Sequence, residues 1–219
     1  MGLVVTIDGP AASGKSSVSR ELARRLGWKW VSTGAFYRGL AYAAIQLNVD
    51  LDDVKALAEL THNPVWNVSL ESDRTRVYFQ NEDVTDLIAH EDVGNFASKV
   101  SHYPEVRKAL LDAQRNCSKG EHGLVAEGRD CGTVVFPTAE AKVYLTASSA
   151  HRAARRATEL GLDEGDMAKA QKQRDHQDST RKVAPMTVPT DAFELDSTEL
   201  DLNQVVDKVE AYVKSKAKI

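Results

Sequence analysis

Cysteine is scarce. Cys117 and Cys131 are the two in 219 residues, too few for a disulfide framework and without the paired spacing of a zinc site. A disulfide-stapled secreted domain is thereby excluded, and a reducing compartment is expected. Long apolar runs are missing too: no stretch approaches the roughly 18–20 residues of a membrane span. Met1-Gly2-Leu3 runs directly into an apolar segment without a leader-like pattern, so the chain is expected in the cytoplasm with no membrane partner. Nor is positive charge in excess. Lys and Arg number 28 against 32 Asp and Glu, a net charge of −4, which argues against a nucleic-acid partner. Internal repeats and low-complexity tracts are absent as well. What remains is ordinary for a globular chain: 42% hydrophobic and 27% charged residues, enough for one domain with insertions or two small ones.

Against that plain background one stretch stands out. Gly9-Pro10-Ala11-Ala12-Ser13-Gly14-Lys15-Ser16 matches G-x-x-x-x-G-K-[ST] in full. Leu3-Val4-Val5-Thr6-Ile7 ahead of it reads as a buried parallel strand. Behind it Val18, Leu22 and Leu26 recur at helical spacing, with Gly27 placed to end the helix. Strand, glycine loop and helix are the context this motif requires. Loop amides, including that of Ser17, and the positive end of the helix then cradle a polyphosphate. Lys15 reaches the β- and γ-phosphates, and the Ser16 hydroxyl is placed for Mg²⁺.

Further along, 28–31 predicts a second strand and 35–47 a helix capped by Thr33-Gly34, with Tyr37 and Arg38 in its first turn. Asp50 is expected to cap a short helix to Leu60. Trp66, Val68 and Leu70 alternate, Glu71-Ser72-Asp73-Arg74 makes a turn, and Val77 and Phe79 alternate again. This predicts a β-hairpin with a third short strand near Asp83-Val84-Thr85 and a core of its own. Val93, Ala97 and Val100 mark a helix with Ser98 beside its apolar face. Val106, Leu110, Ala113 and Cys117 mark another, with Arg107 and Arg115 off the stripe and Cys117 as a packing residue. Residues 123–127 form an apolar run ending in Glu127-Gly128-Arg129-Asp130, which places Glu127 as a metal ligand acting through water and Arg129 and Asp130 at the ligand edge. Strands at 143–145 and 192–195 complete a parallel sheet, and Leu202, Val205, Val206, Val209 and Val213 predict a closing helix.

Between those last two strands lies an arginine-rich helical hairpin. Arg152, Arg155 and Arg156 crowd one face of its first arm, and Arg174, Asp178 and Arg181 recur at i, i+4 and i+7 on the second. Like charges so close repel, a spacing more easily tolerated beside an anion. Gly161 and Gly165 are plausible hinges for a lid. Transfer between ATP and a monophosphate brings about six negative charges into one cleft. Arginines beyond Lys15 are then a physical requirement, and the pattern fits a phosphotransferase with an anionic acceptor.

The motifs Ile7-Asp8-Gly9-Pro10, Gly14-Lys15-Ser16, Thr33-Gly34-Ala35-Phe36-Tyr37-Arg38, Pro104-Glu105-Val106-Arg107, Gly128-Arg129-Asp130-Cys131-Gly132-Thr133-Val134-Val135-Phe136-Pro137, Arg174-Asp175 and Val183-Ala184-Pro185 resemble the bacterial cytidylate kinases over nearly the whole chain. The resemblance implies an α/β P-loop NTPase fold with a five-stranded parallel sheet flanked by helices. A core of 1–36, 86–150 and 186–219 would carry a β-containing monophosphate-binding insert at 37–85 and a lid at 151–185. It implies ATP and CMP or dCMP as substrates, Mg²⁺ as cofactor and a monomeric state. Lys15, Arg38, Arg129 and Arg181 would be catalytic. Arg152 and Arg155 would join residues 9–17 at ATP. Ser98, Arg107 and Asp130 would read cytosine, and Arg174 and Asp178 would hold the ribose. Thr33, Tyr37, Arg38, Arg129 and Arg181 would complete the acceptor site, with Asp8 and Glu127 touching the metal through water. Ser32 and Glu127 stand where the family often has Asp. A GTPase switch would need an N-K-x-D segment, which is absent. A kinase of UMP or of a non-nucleotide acceptor would share the loop and lid without the base-reading set. A non-catalytic nucleotide-binding module would have no use for the acceptor arginines.

Overall fold

The structure, a computed structural model, describes residues 2–71 and 74–218. Met1, Ile219 and the turn residues Ser72 and Asp73 lie outside the described residues. In chain order the elements are β1 (Leu3–Asp8), α1 (Lys15–Leu26), β2 (Lys29–Ser32), α2 (Gly34–Gln46), α3 (Val54–Leu60), β3 (Trp66–Leu70), β4 (Thr75–Phe79) and the two-residue β5 (Glu82–Asp83). They continue with α4 (Glu91–Val100), α5 (Pro104–Asn116), β6 (Gly123–Gly128), β7 (Ala141–Thr146), α6 (Ser149–Leu160), α7 (Glu164–Ser179), β8 (Phe193–Asp196) and α8 (Leu202–Ala217).

Five strands form one parallel sheet in the order β2-β6-β1-β7-β8, and β3, β4 and β5 form a separate antiparallel sheet. Both faces of the large sheet are covered, which is why its strands read as apolar runs rather than as alternating ones. Val5, Ile7, Val125, Val143 and Leu145 pack against Val18 and Leu22 of α1 and the valines of α8. Val4, Val31, Leu124 and Ala126 face the other way, toward α2, α4 and α5. Register brings Asp8 beside Gly128 and Tyr144, and Ser32 beside Glu127. Four strand ends therefore deliver their following loops to one edge, where ligands of such sheets bind.

The structure corrects several sequence expectations. The hairpin has no separate core: Leu57, Trp66, Val77 and Phe79 belong to the same cluster as Val4 and Leu124. Three short strands bury too little alone, so they borrow the covered sheet face. Asp53, not Asp50, caps the helix to Leu60, its side chain accepting from the Ala56 amide. On α5 the buried face runs Val106, Arg107, Leu110 and Gln114, and Ala113 is exposed. Polar side chains are tolerated there because partners await them. Cys117 is half-buried, and burial pushes its thiol up to about 11, consistent with a packing role. Arg181 lies beyond α7, which ends at Ser179. After Asp130 the chain makes a π turn over Cys131–Val135.

Candidate active site

Gly9 opens the phosphate loop at φ 150°, and a Cβ there would sit 2.0 Å from the Leu145 carbonyl oxygen. Only glycine fits so close to β7. Ala12 and Gly14 also take positive φ, at 55° and 90°, which turns the loop sharply ahead of α1. Helix α1 has neither a side-chain cap nor an acidic residue in its first turn. Its leading amides are left for an anion. Lys15 is buried and folds back on the Pro10 carbonyl and the Ser13 hydroxyl, with Nζ 3.4 Å from Oγ. Burial, reinforced by the charge of Arg129, lowers its pKa to about 7.

The Ser16 hydroxyl donates to Glu127 Oε1 at 2.9 Å. Two hard oxygen donors side by side at the mouth of the loop suit Mg²⁺. Asp8 is placed differently. Both its oxygens accept backbone amides, from Cys131 at 2.8 Å and Gly132 at 2.7 Å, so it pins the π turn to β1. Burial pushes its carboxyl up to about 6 despite those two bonds.

Across the cleft from the loop, Arg107 and Asp130 form a buried ion pair. Arg107 also donates to the Ser101 carbonyl at 3.3 Å and lies 5.5 Å over the Tyr37 ring. Arg181 approaches Asp178 at 3.7 Å and the Ser101 hydroxyl at 3.4 Å, yet its Nε and Nη2 are buried with no hydrogen-bond partner among the described residues. A cation with two unanswered donors is an anion site in waiting. Arg129 bridges Asp178 at 2.8 Å and the Gly9 carbonyl at 3.1 Å. Arg38 donates to the Ile88 and His90 carbonyls. Burial and the neighbouring Arg174 lower its pKa to about 10. Residues 11–17, Thr33, Tyr37, Arg38, Ser98, Glu127, Arg129, Asp130, Arg155, Arg174, Asp178 and Arg181 all line one cleft of about 990 Å³. That is the top of the usual range for a small-molecule site, so it has room for more than one ligand. Asp8, Gly9, Pro10, Arg107 and Arg152 stand behind the lining and position it.

Comparison with known proteins matches this arrangement to a family. The sequence model of the cytidylate kinase family covers residues 5–215. The chain belongs to the cytidylate kinase family. It is 79% identical to a cytidylate kinase of Bdellovibrio bacteriovorus over 99% of this chain and 100% of that one. Against a cytidylate kinase of Shewanella loihica it is 44% identical, over 97% of this chain and 95% of the relative. Its fold is shared with a gluconokinase from Sinorhizobium meliloti at 14% identity and TM-score 0.53, covering 99% of this chain and 94% of that structure. The fold is thus that of P-loop kinases, with the five-stranded parallel sheet expected from the sequence.

Seen as a cytidylate kinase family member, the chain has contacts around its α6–α7 hairpin that the motifs did not reveal. Asp175 accepts the Ala11 amide at 3.0 Å and Arg152 Nη1 at 2.6 Å, and Arg152 also donates to the Ala11 carbonyl at 2.9 Å. The α6–α7 hairpin is thereby stitched to the phosphate loop. Arg155 turns to Ser197, donating to its carbonyl at 2.8 Å, and Arg156 turns to Glu91 and Glu159, so the three clustered arginines of α6 point to separate sets of partners. Ser98 donates to Gln177 Oε1 at 2.9 Å. The Thr33 hydroxyl donates to the Glu127 carbonyl at 2.9 Å. Ser32 joins the cleft wall and its amide donates to Thr75. Glu91, at the start of α4, binds Arg156 of α6 and Arg174 of α7. None of these pairings has a local sequence signal, because each joins residues far apart in the chain.

Proposed function

We propose that this chain moves the γ-phosphoryl group of ATP to CMP or dCMP, giving ADP and CDP or dCDP, as a cytoplasmic monomer. The observation carrying the reading is Arg181: a buried guanidinium with two unpartnered donors, set beside the Arg107–Asp130 pair. A donor nucleotide alone gives such a cation no purpose, whereas an acceptor monophosphate satisfies it.

In the reaction an acceptor phosphate oxygen bonds to the γ-phosphorus while the bond to the β-bridging oxygen breaks, its electron pair leaving with ADP. Such a transition state is largely dissociative, so positioning and charge neutralisation do the work. Lys15 and the loop amides hold the β- and γ-phosphates, and Arg152 and Arg155 serve the donor side from the lid. Arg38, Arg129 and Arg181 hold the acceptor phosphate in line. Asp130, held in place by Arg107, and Ser98 pair with the amino and carbonyl edges of cytosine, beside the Thr33 and Tyr37 wall. Arg174 and Asp178 take the sugar hydroxyls. Ser16, with Glu127 through water, would hold Mg²⁺. Bound there, the ion would neutralise charge on the β- and γ-phosphates. Residues 37–85 and 151–185 act as insert and lid, closing to keep water from the phosphoryl group. ADP release measured with CMP, dCMP, UMP, AMP, shikimate or no acceptor tests the reading. CMP and dCMP should dominate. Equal rates across the panel, or turnover only with a non-nucleotide, would overturn it.

A further inference from the structure

Ala11, in the phosphate loop, is held at both its backbone groups by the α6–α7 hairpin. Its amide donates to Asp175 Oδ1 at 3.0 Å, across 164 residues of chain. Its carbonyl accepts from Arg152 Nη1 at 2.9 Å, and the same nitrogen donates to Asp175 Oδ2 at 2.6 Å. Arg152 is itself braced: its Nε donates to the Ala147 carbonyl at 3.1 Å, and its own carbonyl accepts from Gln171 Nε2 at 3.0 Å. One carboxylate of α7 thus closes a ring through Arg152 of α6 and Ala11. Ala12 follows at φ 55°, a conformation that residues other than glycine seldom keep unless their surroundings impose it. With the amide and the carbonyl of Ala11 both bonded, the peptide planes on its two sides are fixed, and the chain enters Ala12 in one direction.

α7 does not depend on Asp175 for its seat. Gln177 accepts the Ser98 hydroxyl at 2.9 Å, Arg174 pairs with Glu91, and Asp178 accepts from Arg129 at 2.8 Å. Those contacts hold the helix against α4 and the end of β6, so what Asp175 adds is its hold on the loop. We infer that Asp175 is a positioning residue for the phosphoryl donor: directly and through Arg152, it fixes Ala11 and Ala12 in the conformation that receives the triphosphate. The inference rests on the role proposed for the loop toward ATP and not on the identity of the acceptor. Arg152 in the first turn of α6 and Asp175 near the end of α7 both sit at the base of the hairpin, so closure of its far end over substrates need not break the ring.

Asp175→Ala removes both contacts, whereas Asp175→Asn keeps an oxygen for the Ala11 amide and removes the charge that holds Arg152. In the nucleotide-free protein the Ala11 amide should exchange about tenfold faster in Asp175→Ala and stay near wild type in Asp175→Asn. The KM for ATP should rise about tenfold in the first and about threefold in the second, with the KM for CMP within about twofold of wild type. Arg152→Ala should raise the KM for ATP as well. Combined with Asp175→Ala it should cost less than the product of the two single effects, because both act on one residue. Equal rises in the two KM values, or a double variant that is fully multiplicative, would overturn the inference. So would a KM for ATP as high in Asp175→Asn as in Asp175→Ala with the Ala11 amide still slow, since the lost charge and not the loop geometry would then be responsible. Calorimetric titration with a non-hydrolysable ATP analogue should give the same ordering of variants with no acceptor present, so the inference is decided even if the wild type proves not to use CMP.

Discussion

Lys15 carries a prediction that follows from its burial. With a pKa lowered to about 7, the side chain at pH 8 holds a proton in only about one molecule in ten. Triphosphate bound to the loop places several negative charges within contact distance of Nζ, and an opposite charge that close restores the ammonium. Binding of a magnesium-loaded, non-hydrolysable ATP analogue at pH 8 should therefore take up about 0.9 proton per site, falling to about 0.1 at pH 6. The nucleotide phosphates are fully ionised at pH 8, so the uptake belongs to the protein. Calorimetric titration in buffers of different ionisation enthalpy reads it directly as the slope of observed heat against buffer enthalpy. The same linkage requires the dissociation constant to weaken about tenfold between pH 8 and pH 9. Tight binding at pH 8 with no proton uptake, and an affinity flat to pH 9, would refute the argument.

Asp130→Ala leaves Arg107 buried without its carboxylate and should cost about 3–5 kcal/mol in denaturant unfolding, while raising the KM for CMP far more than that for ATP. Equal shifts in both KM values would remove Asp130 from base recognition. Gly9→Ala drives a methyl group against the Leu145 carbonyl at a φ that disfavours side chains. It should destabilise by about 1–3 kcal/mol or more and abolish ATP uptake in equilibrium dialysis; an active, fully stable variant would contradict the packing. Asp8 has its carboxyl raised from 3.8 to about 6. The proton is bound more tightly in the folded state, so the stabilisation is full below pH 4 and is lost as pH rises through 6, a change of about 3 kcal/mol. Unfolding free energies of wild type minus Asp8→Asn should decline across pH 4–6, and a flat difference would show an Asp8 that titrates normally.

The parts of the site that could be read in the sequence are contiguous. The phosphate loop announces itself because backbone cradling demands glycines at fixed offsets next to a strand and a helix. The Gly128-Arg129-Asp130 run sits where an apolar strand stops, and β6 does end at Gly128. Other features carried no usable local pattern. On α5, burial of Arg107 and Gln114 reflects what lies opposite them, so the apolar spacing suggested a different face. Helix α7 is polar nearly all round, buries only Met167, Gln171 and Asp178, and gives no stripe from which to orient Arg174 and Asp178. Its end before Arg181 was invisible because Ser179, Thr180 and Arg181 include no glycine or proline.

By itself the sequence determined the chemistry on offer: where the glycine loop of the P-loop fold lies, how many cations are available, and that parallel strands carry them to one edge. Tertiary structure alone decided the partnerships. Asp8 answers two amides across 123 and 124 residues, Arg107 finds Asp130, Arg181 keeps two donors without a partner among the described residues, and Glu91 pairs with arginines from two helices. The reason is the range of the forces. Propensity, capping and periodicity act over a few residues, whereas the pairing of a buried charge is fixed by whichever group the folded chain brings within about 3–4 Å, and no short window of sequence contains that distance.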